Sequence, residues 1–294
     1  MNPNTPSQSS TSLKPKAENT QGSVDIASVL ESVPSPARYT VLAASRAGSE
    51  HDGKEENNQD FFDFRTNGNL FLAVCDGLGS CKHSRKGAEM VVDLTLKFLE
   101  HHNWQKPFED QARNFITKVQ NEIETVAAKS GFAAREMACT LLAFAVCDNQ
   151  YRTMQLGDGF IVARFSSAAE YEMLFPCMEK EYANDTMPVT HAKAATLLRT
   201  REGFHMPNFI CLSSDGLERQ AIKQIYTPDE RAHPGFFNFL IDDVLPYGQE
   251  RLQMYLSLPF WDKHTNDDRT LVCAWLSKLE SNAPIKSMHD PAPL

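Results

Sequence analysis

The feature that most constrains this chain is a contrast between eight short apolar runs of strand length and one consecutive pair of long helical patterns. The runs are Tyr39 to Ser45, Phe61 to Arg65, Leu70 to Cys75, Thr140 to Cys147, Tyr151 to Leu156, Ile161 to Phe165, Phe209 to Ser213 and Thr270 to Leu276, and β-branched and aromatic residues with turn formers at their ends mark them as strands. Between the third and fourth run, Ala88, Val91, Val92, Thr95, Phe98 and Leu99 recur at helical spacing within Ser84 to about His101. Phe115, Val119, Glu122, Ile123 and Val126 do the same within Glu109 to about Lys129. Pro107 interrupts the link, so the two predicted helices form an antiparallel pair. Shorter helices are predicted at Leu217 to Ile225, Phe236 to Val244 and Gln249 to Leu256. Strands, a helix pair, more strands, helices and a last strand do not make the regular alternation of a doubly wound parallel sheet. The expected class is α+β, with helices covering a β-sandwich.

Residues 1–37 are rich in Ser, Asn, Thr, Gln and Pro without periodicity and read as a disordered arm. Residues 278–294 read as a similar tail. No second linker or repeat lies between, which gives a single domain over 38–277. With 294 residues, 41% of them hydrophobic, the chain can bury a substantial core. A formal net charge of −9 argues against nucleic acid or an anionic membrane surface as partner. No secretory signal is read at the start and no run of about 18 apolar residues occurs, so the expected location is the cytoplasm. Seven cysteines with no Cys-x-x-Cys pair, several inside apolar runs, read as buried reduced thiols and not as disulfides or a zinc site.

Three Asp-Gly pairs follow apolar runs: Asp76-Gly77, Asp158-Gly159 and Asp215-Gly216. Each is compatible with a plain turn, and Asp158 suits one best, because Tyr151 to Leu156 and Phe160 to Phe165 would form a hairpin around it. Asp76 and Asp215 suit a hairpin less well, since no partnering strand follows. Asp60 stands directly before one strand and the Asp267-Asp268 pair just before another. Acids far apart in sequence but each at a strand terminus can converge on one rim of a sandwich. Such a cluster repels itself unless hard cations are present, and it then suits Mg²⁺ or Mn²⁺. Two ions ~4 Å apart would acidify a shared water and clamp a phosphoryl oxygen.

Asn58-Gln59-Asp60, Val74 to Gly79, Ser84 to Ala88, Ala138-Cys139-Thr140, Leu156-Gly157-Asp158, Ser214-Asp215-Gly216 and Asp267 to Thr270 occur in the order seen in one family. Over about residues 40 to 276 the chain resembles the PP2C-like (PPM) protein phosphatases, and Gly48-x-x-His51 with Glu181 to Asn184 resembles their bacterial branch. The resemblance implies a four-layer α-β-β-α sandwich. It implies hydrolysis of phosphoserine and phosphothreonine by a water bridging two Mn²⁺ or Mg²⁺ ions, without a phosphoenzyme. Asp60, Asp76, the Gly77 carbonyl, Asp215 and Asp267 would hold the pair, Asp158 with Asp215 a third ion, and the stretch 166–208 would contain a flap beside the site. Implied partners are phosphoproteins and a cognate Ser/Thr kinase pathway, and the enzyme is expected to be a monomer.

Three departures concern the substrate side. The position where relatives carry a phosphate-holding arginine is Glu55. Of the neighbouring cations Arg46, His51 and Lys54, His51 assisted by Lys54 is the candidate, an ordinary loop histidine being the other reading. Leu78 stands where some relatives place an acid-donating histidine, so the leaving-group proton would come from metal-bound water or another group, His83 being one candidate, and Gln59 replaces a glutamate. Asp268 reads as a turn residue or as an acceptor behind the metals. Cys-x5-Arg, a Walker loop, His-Glu-x-x-His and a contiguous calcium loop are all absent. The rival reading is a catalytically silent phosphatase-shaped adaptor that binds a partner or a phosphopeptide.

Overall fold

A computed structural model describes residues 39–49, 54–166, 170–177 and 186–276. The predicted arm and tail, His51, and Glu181 to Asn184 lie outside the described residues. The elements run β1 (Tyr39–Arg46), β2 (Phe61–Thr66), β3 (Leu70–Cys75), α1 (Ser84–His101) and α2 (Phe108–Ser130). Next come β4 (Leu141–Cys147), β5 (Gln150–Leu156), β6 (Phe160–Arg164), β7 (Glu172–Met173), α3 (Ala194–Leu197), β8 (Arg199–Gly203) and β9 (Phe209–Ser213). The chain closes with α4 (Glu218–Ala221), β10 (Ile222–Lys223), β11 (Arg231–Ala232), α5 (Pro234–Phe239), α6 (Gly248–Leu256) and β12 (Arg269–Leu276).

Two five-stranded antiparallel sheets result, in spatial order β1-β12-β9-β6-β7 and β2-β3-β4-β5-β8, and β10 and β11 form a separate ribbon. Period-two alternation sorts their side chains into layers. Phe71, Ala73 and Cys75 of β3 pack with Ala88, Val92, Ile116 and Val119 of the long helices. Leu70, Leu72 and Val74 face the second sheet and meet Ile210, Leu212, Val272 and Ala274. The opposite faces of those strands, Cys211, Leu271 and Cys273, pack on Phe237, Leu240, Leu252 and Trp261. These three apolar layers between four tiers of structure make an α-β-β-α sandwich. Among the described residues no helix is long and apolar enough to cross a membrane.

The long helix pair and the eight apolar strands follow the expectation to within a residue or two. The Asp158 hairpin does not form: β5 pairs with β4 and β8, whereas β6 pairs with β9 and β7. Gly157 (φ +87°) and Gly159 (φ +82°) occupy left-handed backbone that turns the chain out of one sheet and into the other. The predicted helix Leu217 to Ile225 shrinks to α4, because Ile222 and Lys223 pair with Ala232 and Arg231 as a strand. The predicted helix from Phe236 begins earlier, at Pro234, where the His233 ring nitrogen caps the Phe236 amide at 2.9 Å. The stretch 166–208 contains β7, α3 and β8, none of which was expected from sequence.

Candidate metal centre

Strand register alone gathers the aspartates. Phe61 pairs with Cys75, so Asp60, before β2, and Asp76, after β3, leave the same end of one sheet. Leu271 and Phe160 both pair with Ser213, so Asp215, Asp267 and Asp158 leave the matching end of the other. One carboxylate oxygen each of Asp76, Asp158 and Asp215 lies within 4.8 Å of the others. Burial, followed by the charges of Asp60, Asp215, Asp267 and Asp158, holds the Asp76 carboxyl well above the usual carboxylate range. Burial likewise pushes Asp60 up to about 7 and Asp267 up to about 8, the latter reinforced by Asp215 and Asp60. A buried cluster in which Asp60, Asp76 and Asp267 all have raised carboxyl pKa values favours either protons or cations.

Neighbouring groups hold several of these residues in place. The Asp76 amide donates to Thr140 Oγ1 at 2.9 Å, and the Asp76 carbonyl accepts the Thr140 amide at 2.8 Å. Ser214 Oγ donates to Asp60 Oδ2 at 2.7 Å. Asp60 Oδ1 is buried without a hydrogen-bond partner, an arrangement that normally costs a few kcal/mol unless something positive fills it. Thr186 Oγ1 donates to Asp158 Oδ2 at 2.8 Å, so the stretch expected to carry the flap touches the cluster at its described end. A Cβ on Gly77 would stand 2.8 Å from the Gln59 carbonyl, and one on Gly216 would stand 2.1 Å from the Asp268 carbonyl. The glycines of the Asp-Gly pairs therefore admit close backbone approach at the rim.

The other expected residues fall as follows. Asp268 is buried and accepts the amides of Gly48 at 2.8 Å and Gln59 at 2.7 Å, so it clamps the loop that delivers Asp60. Arg46 pairs with Glu55 at 2.6 Å, which occupies one of the candidate phosphate-holding cations. Lys54 is exposed six residues before Asp60. His83 stacks on Phe132 with ring centroids 4.0 Å apart and stands 3.9 Å from the Glu136 carboxylate. Gln59 Oε1 is buried with no hydrogen-bond partner.

Sequence reasoning assigned no role to Thr140, Ser214 or Arg85. All three sit inside the motifs quoted above, but which group each would support depends on how the strand ends and α1 meet. The Arg85 guanidinium donates to the carbonyls of Asn58, at 3.1 Å, and Asp60, and nothing in its helical position signals that contact. We expect Thr140→Val to cost about 1–2 kcal/mol, since the Asp76 amide loses its acceptor, and to weaken cation affinity about 10–100-fold. Thermal melts and a Mn²⁺ titration of the variant check both.

All the donors that converge are oxygens, which suits hard cations such as Mg²⁺ and Mn²⁺, and the buried unpartnered Asp60 oxygen suits a cation contact. The model of the family described as protein phosphatase 2C matches residues 47–257. Serine/threonine-protein phosphatase 3 of Escherichia coli (strain K12) is 26% identical over 215 residues, covering 70% of this chain and 83% of that protein. A crystal structure of a bacterial serine phosphatase superposes with a TM-score of 0.59 at 16% identity, over 83% of this chain and 99% of the other. The serine/threonine phosphatase Stp1 from Staphylococcus aureus gives 0.57 at 18% identity, over 81% and 96%.

Proposed function

Since the chain belongs to the protein phosphatase 2C family, we propose that it is a cation-dependent phosphatase acting on phosphoserine and phosphothreonine in proteins. The observation that carries this reading is the convergence of five aspartates from two sheets, three of which bring a carboxylate oxygen each within 4.8 Å of the others. Asp60, Asp76, the Gly77 carbonyl, Asp215 and Asp267 would hold a pair of Mn²⁺ or Mg²⁺ ions, and Asp158 with Asp215 a third. When bound, the cations would supply positive charge to a phosphoryl oxygen and acidify the attacking water. The chain's own part is placement. Thr140 fixes the Asp76 backbone, Ser214 turns Asp60, and Asp268 holds the loop that carries Gln59 and Asp60. His51 and Lys54, nine and six residues before Asp60 in sequence, would meet the substrate phosphate. The catalytic domain would span 38–277.

The test is an assay of the full chain on an aryl phosphate and on phosphoserine and phosphothreonine peptides. Turnover is expected with Mn²⁺ or Mg²⁺ and is expected to vanish with a chelator. Protein that stays inert across a Mn²⁺ titration yet binds a phosphopeptide would instead fit the adaptor. His51→Ala is expected to raise KM severalfold and change kcat less, because a phosphate contact is shared by ground and transition states. An unchanged KM removes His51 from that role.

A further inference from the structure

Against a net charge of −9, the loop after Asp76-Gly77 and the first turns of α1 run the other way. Residues 81–89 and 131–137 contain Lys82, Arg85, Lys86 and Arg135 against only Glu89 and Glu136. The fold brings the two segments together: the His83 amide donates to the Glu136 carbonyl at 2.9 Å, and a Cβ on Gly87 would stand 2.1 Å from the Met137 carbonyl. It also puts them beside the metal centre. The Cβ of Ser84, first residue of α1, would stand 2.9 Å from a Cβ on Gly77, and Arg85 grips the Asp60 carbonyl. Arg85 is paired with Glu89 at 2.9 Å and lies over Phe61. Lys82, Lys86 and Arg135 are exposed, and among the described residues none of the three is in an ion pair. Lys86 lies 5.5 Å from the centre of the Phe132 ring, on which His83 also stacks.

We infer that this basic, aromatic-floored rim binds acidic residues flanking the phosphorylated side chain, and so sets the enzyme's preference among phosphoproteins. The inference rests on the phosphatase reading. The rest of the protein repels an acidic peptide, and screening confines that repulsion and the rim's attraction to about 8 Å at physiological salt. A rim within one helical turn of the aspartate loop therefore acts on residues next to the phosphate and not on the whole substrate. Exposed ion pairs are individually weak, so the effect is a bias built from several of them.

The test compares two phosphothreonine peptides, one with Asp and Glu beside the phosphothreonine and one with Ser and Ala there, with an aryl phosphate as a substrate that has no flanks. Wild type is expected to favour the acidic peptide about tenfold in kcat/KM at low salt, and the margin is expected to shrink as salt rises. Lys82→Glu with Lys86→Glu should abolish or invert the preference and leave aryl phosphate turnover unchanged. Equal rates on the two peptides in wild type, or a preference that survives the double variant, overturn the inference while the aryl phosphate rate keeps the phosphatase reading intact. Protein inert toward all three substrates overturns that reading and the inference with it.

Discussion

Asp76→Asn is expected to lower aryl phosphate turnover at least about 100-fold and to leave the fold intact. The loss follows from the position of Asp76, whose carboxyl feels the charges of Asp60, Asp215, Asp267 and Asp158 together. Removing it would take a charge from the centre of the proposed cation site, and a transition-state contribution of a few kcal/mol is worth about two orders of magnitude. The fold survives because the amide has nearly the shape of the carboxylate and ends a repulsion, while the backbone bonds from Asp76 to Thr140 do not involve the side chain. The measurement is kcat/KM across a Mn²⁺ series together with a thermal melt. Near-wild-type turnover would remove Asp76 from the centre, and a collapsed melt would recast it as a structural residue.

A second large effect is expected in the cation-free protein. Asp60 and Asp267 carry folded-state values of about 7 and about 8, raised first of all by burial. An acid whose folded pKa lies above its unfolded value, about 4, holds its proton more tightly folded than unfolded. Stability is then greatest below the unfolded value and declines as pH rises through the folded one. With chelator present, the melting midpoint is expected to be lower by about 5–10 °C at pH 8.5 than at pH 5. Added Mn²⁺ binds only the deprotonated site, so it should raise the midpoint far more at pH 8.5 than at pH 5. A midpoint independent of pH over that range would mean that burial does not raise the Asp60 and Asp267 carboxyls.

The parts of this architecture legible in the sequence are those written in periodicity. The long helices carry their stripes over about five and six turns, and strands such as Leu70–Cys75 and Phe209–Ser213 are apolar on both faces because both faces are covered. β8, Arg-Thr-Arg-Glu-Gly, is an edge strand joined by its backbone to β5, and an edge strand needs no apolar pattern. The turn at Asp158 was misread because Asp-Gly carries the same local signal whether the next strand joins the same sheet or crosses to the other. Asp60, Asp76 and Asp215 could be singled out because each stands where an apolar run begins or ends. Thr140, Ser214 and Arg85 could not, since their contacts exist only once particular strand ends meet.

The crossing at Gly157-Asp158-Gly159 has a consequence for thermodynamic linkage. Asp60 and Asp76 belong to one sheet's rim, Asp215 and Asp267 to the other's, and Asp158 to the link between them. Neither sheet by itself holds the full set of proposed donors, so the affinity for cations would contain the free energy of docking one sheet on the other. A change in the middle apolar layer, such as Leu72→Ala or Val272→Ala, would therefore loosen cation binding without touching a donor, and tight cation binding would in turn draw the sheets together. Substitutions deep in that layer would then act as remote tuners of the proposed metal dependence.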